Sequence, residues 1–377
     1  MLAYEWPYLL TLLPSEARMD ETAREMGALL RKRNVKRSSD LLRLCLAYGF
    51  CEMTFREAAA WAEMAGVANL SDVALMKRVR SSEKWLGWLV GAKLAERTPP
   101  PPSQTPRRLR LFDATGVSGP GAEGTEWRVH LGFDLSNLAI DDVELTDARG
   151  GESLTRFVFR PGEIAVADRG YAHRRGLHRV RRQGAHFLVR MNWQNVPLTD
   201  RAGGAFDLME FLRGLPEASA GERDVLVASS ARDGFEALPA RLVAVRKSEP
   251  AAEAARRKAM QEAARKGRAI DPRTLESAGY VMALTSLDAE AMGGGEALDV
   301  YRFRWQIELA FKRLKSLLRL GALPARDPPL ARAVLYAKLL AALLLDDFTD
   351  RFLAFSPWGY RLAVATAMSV ADSARAP

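Results

Sequence analysis

The chain has 377 residues, of which 48% are hydrophobic, so it can form two or three domains with sizeable cores. Its 55 lysines and arginines exceed its 46 aspartates and glutamates, giving a formal net charge of +9 that favours a polyanionic partner. The basic residues are spread along the chain, as in a protein that holds a phosphate backbone through several surfaces. Two cysteines and four histidines, in no metal-ligand spacing, exclude a disulfide framework and a zinc site.

The N-terminus, MLAYEWPYLLTLLP, has no basic region and no cleavage site, so we predict no signal peptide. The longest apolar stretch, VLYAKLLAALLL, contains Lys338 and is predicted to be too short to span a bilayer. We therefore expect a cytoplasmic protein that works at the nucleoid.

Residues 1–95 are predicted to form a helical N-terminal DNA-binding domain. Ser38 and its neighbours are predicted to cap LLRLCLAYGF, Thr54 caps FREAAAWAEMAG, and Ser71 precedes DVALMKRVRSS. The last two segments, joined by a short turn, resemble a helix-turn-helix. Three basic residues on or beside its second helix are candidate DNA contacts: Lys77, Arg78 and Arg80.

A proline-rich linker, residues 96–107, separates this domain from a region in which the hydrophobic residues alternate as in β-strands. In residues 108–194, RLRLFDAT, WRVHLGFDL, AIDDVELTD, EIAVADRGY and HFLVRM are predicted strands. GESLTRFV is a predicted short helix, and YAHRRGLHRVRRQG is a basic helix closed by glycine. This order predicts an α/β layer with a mixed sheet.

Residues 195–298 interrupt that layer with a predicted β-rich insertion, which also contains a charged, alanine-rich helix or helical hairpin. A helix is predicted over residues 299–325, as the last element of the core. Residues 326–377 form a predicted helical C-terminal region that could support dimerisation.

Three acidic residues stand out by their positions. Asp113 ends the strand in FDAT, Asp168 ends the strand in ADRGY, and Glu308 lies on the helix after the insertion. Carboxylates at the carboxyl ends of strands face a crevice, and oxygen ligands without histidine or cysteine suit Mg²⁺. Taken alone, each aspartate is more typical of a residue that caps a loop, but the two together with Glu308 favour a metal site.

The segment YRFRWQIELAFKRLK is predicted to be an amphipathic helix. At about 100° per residue, four polar residues fall within a sector of roughly 60° beside the apolar face: Tyr301, Arg304, Glu308 and Lys315. An ordinary helix in which Glu308 pairs with Arg304 and Lys312 would give the same pattern. The stripe formed by Tyr301, Arg304, Glu308 and Lys315 therefore does not by itself distinguish a functional site from an ordinary amphipathic helix.

The same four residues fit the pattern tyrosine, two residues, arginine, three residues, glutamate, six residues, lysine, and ADRGY lies upstream of them. In this the chain resembles the bacterial DDE transposases of the insertion-sequence family four, over roughly residues 105–325. The resemblance implies a ribonuclease H-like, retroviral-integrase-type core, interrupted before its last helix by the β-rich insertion. It also implies cut-and-paste transposition by a homodimer on double-stranded DNA, with transposon terminal inverted repeats and target DNA as substrates.

By matching positions, the resemblance makes Asp113, Asp168 and Glu308 the catalytic, metal-binding triad. The cofactor it implies is two Mg²⁺ ions, with Mn²⁺ as a substitute. It makes Tyr301, Arg304 and Lys315 contacts to DNA phosphates. Arg190, at the end of HFLVRM, is a further DNA-binding candidate.

The chain departs from the family at the aromatic residue expected to stack a flipped base. Residues 195–300 contain no tryptophan, and Trp193, just before them, is the candidate instead. Two other functions stay open from the sequence: a metal-dependent DNA nuclease or resolvase without a joining step, and an inactive, transposase-derived DNA-binding protein.

Overall fold

The structure, a computed structural model, describes residues 6–51, 53–96, 108–121, 124–134, 139–191, 193–216, 220–302, 304, 323 and 327–354. The chain forms two compact units. Unit 1 consists of residues 1–103, 114–150 and 309–377, and unit 2 of residues 104–113 and 151–308.

The described residues form nine strands: β1 Leu109–Val117, β2 Trp127–Asp134, β3 Ala139–Asp147, β4 Ile164–Ala167, β5 His186–Arg190, β6 Leu198–Thr199, β7 Gly221–Val227, β8 Leu238–Arg246 and β9 Tyr280–Thr285. They also form twelve α-helices: α1 Trp6–Thr11, α2 Glu16–Glu25, α3 Ser38–Gly49, α4 Phe55–Met64, α5 Asp72–Ser81, α6 Glu83–Glu96, α7 Arg174–Arg182, α8 Leu208–Arg213, α9 Glu249–Arg265, α10 Pro272–Ser277, α11 Gly294–Arg302 and α12 Pro328–Ala354.

The sheet of unit 2 has three parallel strands, β1, β4 and β5, with β4 in the middle. All four residues of β4 are buried, as expected for a strand covered on both faces. One face of these strands packs into the main core of the unit through Phe112, Ala167 and Val189. Their neighbours in sequence therefore point to the opposite face.

The segment predicted as an insertion continues this sheet. β9 pairs antiparallel with β5, β8 with β9, β7 with β8, and β6 with β7. The alanine-rich segment is one long helix, α9, with a proline in its first turn, followed by the short helix α10. Strands from the first part of unit 2 and from the insertion thus form one continuous hydrogen-bonded surface.

Three local predictions differ from the structure. GESLTRFV forms only a 3-10 turn, Leu154–Arg156. The strand in FDAT does not end at Thr115, because β1 continues through Val117. The helix predicted from residue 299 begins earlier, since α11 runs from Gly294 to Arg302.

Unit 1 contains α1–α6, the antiparallel pair β2–β3, and α12. The predicted cap of α4 is confirmed: Thr54 and Glu57 form a reciprocal capping box, and Gly66 follows the helix with φ +65°. The predicted cap of α3 is wrong, because Ser38 lies inside the helix and makes no side-chain cap. Instead, the Ser38 backbone N–H donates to Oδ1 of Asp20, at 2.9 Å.

Helix α12 is the core helix of unit 1, packed against α3, α5 and α6. The window Pro328–Leu345 is long and apolar enough to cross a membrane by length and composition, so the prediction of a too-short stretch is wrong. The reason is that the helix begins before the quoted stretch. Within the protein, 72% of this window is buried, as expected for a helix in a protein core.

Candidate active site

Two aspartates lie side by side where the parallel pairing of β1 with β4 ends, and the prediction that Asp113 ends its strand is wrong, because β1 continues to Val117. Phe112 on β1 pairs with Ala167 on β4, and Asp113 and Asp168 are the next residues of the two strands. The backbone of Asp168 is still extended, with φ −79° and ψ 177°, so both side chains leave the face opposite the main core. Adjacent strands are about 4.8 Å apart, so the two carboxylates share one small region.

Arg190 occupies the corresponding position on the third parallel strand. Val189 on β5 pairs with Ala167, so Arg190 follows on the strand next to Asp168. Its guanidinium makes no hydrogen bond or close ion pair with another described residue, although its charge acts on Asp168. The register therefore places two carboxylates in a row with one cation that has no hydrogen-bond partner among the described residues.

Tyr301 connects the last described helix of unit 2 to this row. It lies on α11, is 9% exposed, and its hydroxyl donates a hydrogen bond to Oδ1 of Asp168 at 3.0 Å. Burial and the negative charge of Asp168 raise the pKa of the Tyr301 phenol. The hydroxyl is therefore a protonated donor at neutral pH.

The electrostatic surroundings keep Asp168 ionised. Burial alone would raise the pKa of its carboxyl, but hydrogen bonds from the Arg169 backbone N–H and the Tyr301 hydroxyl oppose this effect. The positive charges of Arg304 and Arg190 act in the same direction. The sum lowers the pKa of Asp168 below its ordinary value, so the group is an anion at neutral pH.

Two cations of this region are not among the predicted site residues. Arg169 directly follows Asp168, and Lys247 follows β8, in the predicted insertion. Burial, and then the like charges of Arg190 and Arg169, lower the pKa of the Lys247 ammonium, whose Nζ donates to the Ala278 carbonyl at 2.7 Å. Arg169 is visible in the motif ADRGY, whereas nothing local in the sequence marks Lys247.

The predicted stripe is only partly described. Tyr301 lies on α11, which ends at Arg302, and Arg304 lies in the turn that follows, where its N–H donates to the Tyr301 carbonyl at 3.1 Å. Tyr301 and Arg304 therefore do not follow one regular helical repeat. Glu308 and Lys315 lie outside the described residues.

The two described aspartates suit a hard cation. Both present carboxylate oxygens at the edge of the sheet, half-exposed, and oxygen ligands are what Mg²⁺ prefers. Among the described residues, no group of three histidine, cysteine, aspartate or glutamate side chains could hold a metal ion. The third predicted ligand, Glu308, is among the residues left undescribed.

The candidate DNA contacts of unit 1 have different surroundings. Lys77 is exposed on α5. Arg78 Nη2 donates to the Arg31 carbonyl at 2.7 Å, and Arg80 Nε pairs with Oδ1 of Asp327 at 2.9 Å. Lys77 is thus the most available of the three cations for a phosphate.

Trp193 is half-buried against the core of unit 2. The Arg273 guanidinium carbon lies 4.8 Å from the centre of its ring, in cation–π geometry. One face of the ring is therefore already covered.

Comparison with known proteins identifies the class. The sequence profile of the Transposase DDE domain matches residues 104–344, which include both aspartates of the row. The chain belongs to the DDE transposase family, and it is an insertion-sequence transposase, an enzyme that cleaves DNA and transfers strands.

Its relatives include transposases of Escherichia coli. The protein InsL of insertion sequence element IS186A, from strain K12, is 43% identical over 354 residues, covering 93% of this chain and 96% of that protein. The transposase of insertion sequence element IS421 is 43% identical over 355 residues, with the same coverage. Among solved structures, the piggyBac transposase synaptic complex with hairpin DNA has a TM-score of 0.42 at 10% identity, over 97% of this chain and 85% of that chain.

Proposed function

We propose that this chain is a cut-and-paste transposase of the insertion-sequence family four. Its catalytic core would be ribonuclease H-like and extended by the inserted strands β6–β9. The observation that carries the proposal is the parallel register of β1 and β4, which sets Asp113 beside Asp168. The antiparallel pair β2–β3 and the parallel strands β1, β4 and β5 support the proposed core.

In this function Asp113, Asp168 and Glu308 would hold two Mg²⁺ ions, with Mn²⁺ as a substitute. When bound, such ions supply Lewis acidity for phosphodiester hydrolysis and for strand transfer. The protein contributes an ionised carboxylate at Asp168, because the groups around it favour its anionic form. They also hold the Asp168 carboxylate at the edge where the two aspartates meet.

The cations beside the carboxylates would bind the DNA backbone. Arg190 has an available guanidinium next to Asp168, and Arg304 lies close enough for its charge to act on the same carboxylate. Guanidinium groups form short, charge-assisted bonds with phosphate oxygens. Lys315 would extend this contact along the strand, and Trp193 stays the candidate for base stacking.

Unit 1 would supply recognition of the transposon ends. Helices α4 and α5 are the candidate helix-turn-helix, with Lys77 exposed on the second helix and Arg78 and Arg80 beside it. The partners would be the terminal inverted repeats and the target DNA, and two copies of the chain would act together on paired ends. The site of action would be the bacterial nucleoid, in the cytoplasm.

The test is an end-cleavage and joining assay. The full chain is incubated with Mg²⁺, a duplex carrying the inverted repeat of the element, and a target plasmid. We expect nicks at the end of the repeat and covalent joining of that end to the plasmid. Nicks without joined products would instead identify a nuclease, and this proposal would be abandoned.

A further inference from the structure

The Tyr301 hydroxyl carries a single proton, and that proton has a partner within the protein. The hydroxyl donates to Oδ1 of Asp168 at 3.0 Å, and the residue is 9% exposed. The resemblance to the transposase family assigns Tyr301 to DNA phosphates. A phenol cannot donate one proton to a phosphate and to Asp168 at the same time.

We infer that Tyr301 is a positioning residue for Asp168, and that it serves the reaction by fixing this carboxylate rather than by binding DNA. The inference rests on the proposed role of Asp168 as a metal ligand. Tyr301 would thus bind the Asp168 carboxylate, whereas Arg304 and Lys315 would bind DNA phosphates.

The geometry explains why Asp168 needs such support. It lies just after the last residue of β4, where the backbone ladder no longer continues. The Tyr301 hydroxyl, which donates to Oδ1, holds the side chain there. With Oδ1 held by the Tyr301 hydroxyl, rotation of the carboxylate about its Cβ–Cγ bond is restricted.

Tyr301 is itself held firmly. Its helix, α11, buries Ala297 and Leu298 beside it. The Arg304 guanidinium carbon lies 5.7 Å from the centre of the Tyr301 ring. Tyr301→Phe keeps the ring and these contacts, and removes only the hydrogen bond to Asp168.

The experiment compares three variants of the full chain: Tyr301→Phe, Asp168→Ala and Tyr48→Phe. Tyr48 is a similarly buried tyrosine, stacked on Phe55, and its change removes a hydroxyl that belongs to unit 1. Mn²⁺ binding is measured from the electron paramagnetic resonance signal of the free ion, in the presence of end DNA. Affinity for end DNA is measured separately by fluorescence anisotropy in EDTA.

We expect Tyr301→Phe to weaken Mn²⁺ binding about tenfold, the usual effect of removing a group that orients a metal ligand. Its affinity for end DNA in EDTA should equal that of the wild type, and Tyr48→Phe should match the wild type in both measurements. Wild-type Mn²⁺ affinity in Tyr301→Phe, or loss of DNA affinity in EDTA, would overturn the inference.

Asp168→Ala separates this inference from the function on which it rests. If Asp168→Ala loses Mn²⁺ binding while Tyr301→Phe keeps it, only the role of Tyr301 is overturned. If Asp168→Ala binds Mn²⁺ like the wild type, Asp168 is not a metal ligand, and the proposed metal site fails together with the inference.

Discussion

Phe112 and Ala167 pair in parallel register, although they are 55 positions apart in the chain, and this pairing puts Asp113 beside Asp168. The two apolar residues belong to the core of unit 2, so the position of the carboxylates depends on how that core packs. Because a shift of one residue along a strand moves every side chain to the other face, the register is strongly specified. The core thereby fixes the site.

Neutralising either aspartate should abolish the chemistry and spare DNA binding. Asp113→Asn and Asp168→Asn keep the size of the side chain but remove the charge that a divalent cation requires. We expect DNA cleavage to fall by about 10²- to 10³-fold, the size of effect seen when one central electrostatic group is lost. Gel assays of end cleavage and of end binding in EDTA check the two halves of this prediction.

Asp224→Asn is the matched control, because Asp224 is a half-exposed aspartate on β7 that pairs with Arg201. It should cleave like the wild type. Glu308→Gln should behave like the two aspartate variants. Normal cleavage by any one of the three would remove that residue from the proposed triad.

Metal dependence should follow the chemistry of oxygen ligands. Mg²⁺ and Mn²⁺ should support cleavage, whereas Ca²⁺ should allow assembly with the ends but little cleavage, since its coordination is larger and looser. Parallel titrations of the three ions after EDTA treatment provide the measurement. Efficient cleavage in EDTA alone would be incompatible with the proposed site.

Lys247 should contribute one phosphate contact from the inserted segment. Its ammonium lies near Arg190 and Arg169, whose like charges lower its pKa, so an anion placed among these cations would relieve the repulsion. We expect Lys247→Gln to weaken end binding and to reduce the slope of log K against log salt by about 1. Fluorescence anisotropy at a series of salt concentrations gives that slope.

Arg201→Gln is a suitable comparison, because it also removes one positive charge from unit 2. Arg201 is already paired with Asp224, at the far side of the strand order from β5. Its salt slope should equal that of the wild type. Equal slopes for the Lys247 and Arg201 variants would show that Lys247 does not bind phosphate.

Asp20 should stabilise unit 1 as a cap supplied by a different helix. Its carboxylate accepts hydrogen bonds from the Ser38 N–H, at the start of α3, and from Lys32. Burial alone would raise the pKa of Asp20, but these bonds lower it below its ordinary value. We expect Asp20→Asn to cost about 1 kcal/mol at neutral pH, as for the loss of other helix caps.

The pH dependence has a defined sign. The pKa of Asp20 is lower in the folded protein than in the unfolded chain, where it is about 3.9, so the carboxylate stabilises the fold at any pH above about 3.9. This stabilisation is lost as the pH falls through the pKa of Asp20 in the folded protein. Melting temperatures of the wild type and Asp20→Asn should therefore converge below about pH 4. A constant difference down to pH 3 would mean that the charge of Asp20 contributes nothing.

The sequence by itself determined what depends on neighbours along the chain. Alternating and apolar runs predicted the strands β1–β5 and a β-rich segment where β6–β9 lie. Thr54 predicted the start of α4, because capping acts across three residues. The acidic residues at strand ends and the signature beginning at Tyr301 predicted the transposase family, which the comparisons confirmed.

Only the tertiary structure decided which distant residues meet. Tyr301 and Asp168 are 133 positions apart, and their hydrogen bond exists because α11 packs against β5, the strand next to β4. The cap of α3 comes from Asp20 on another helix, and Lys247 reaches the site because β8 and β9 extend the sheet from β5. Such contacts depend on strand register and helix packing, which are set by the whole core and leave no local pattern in the sequence.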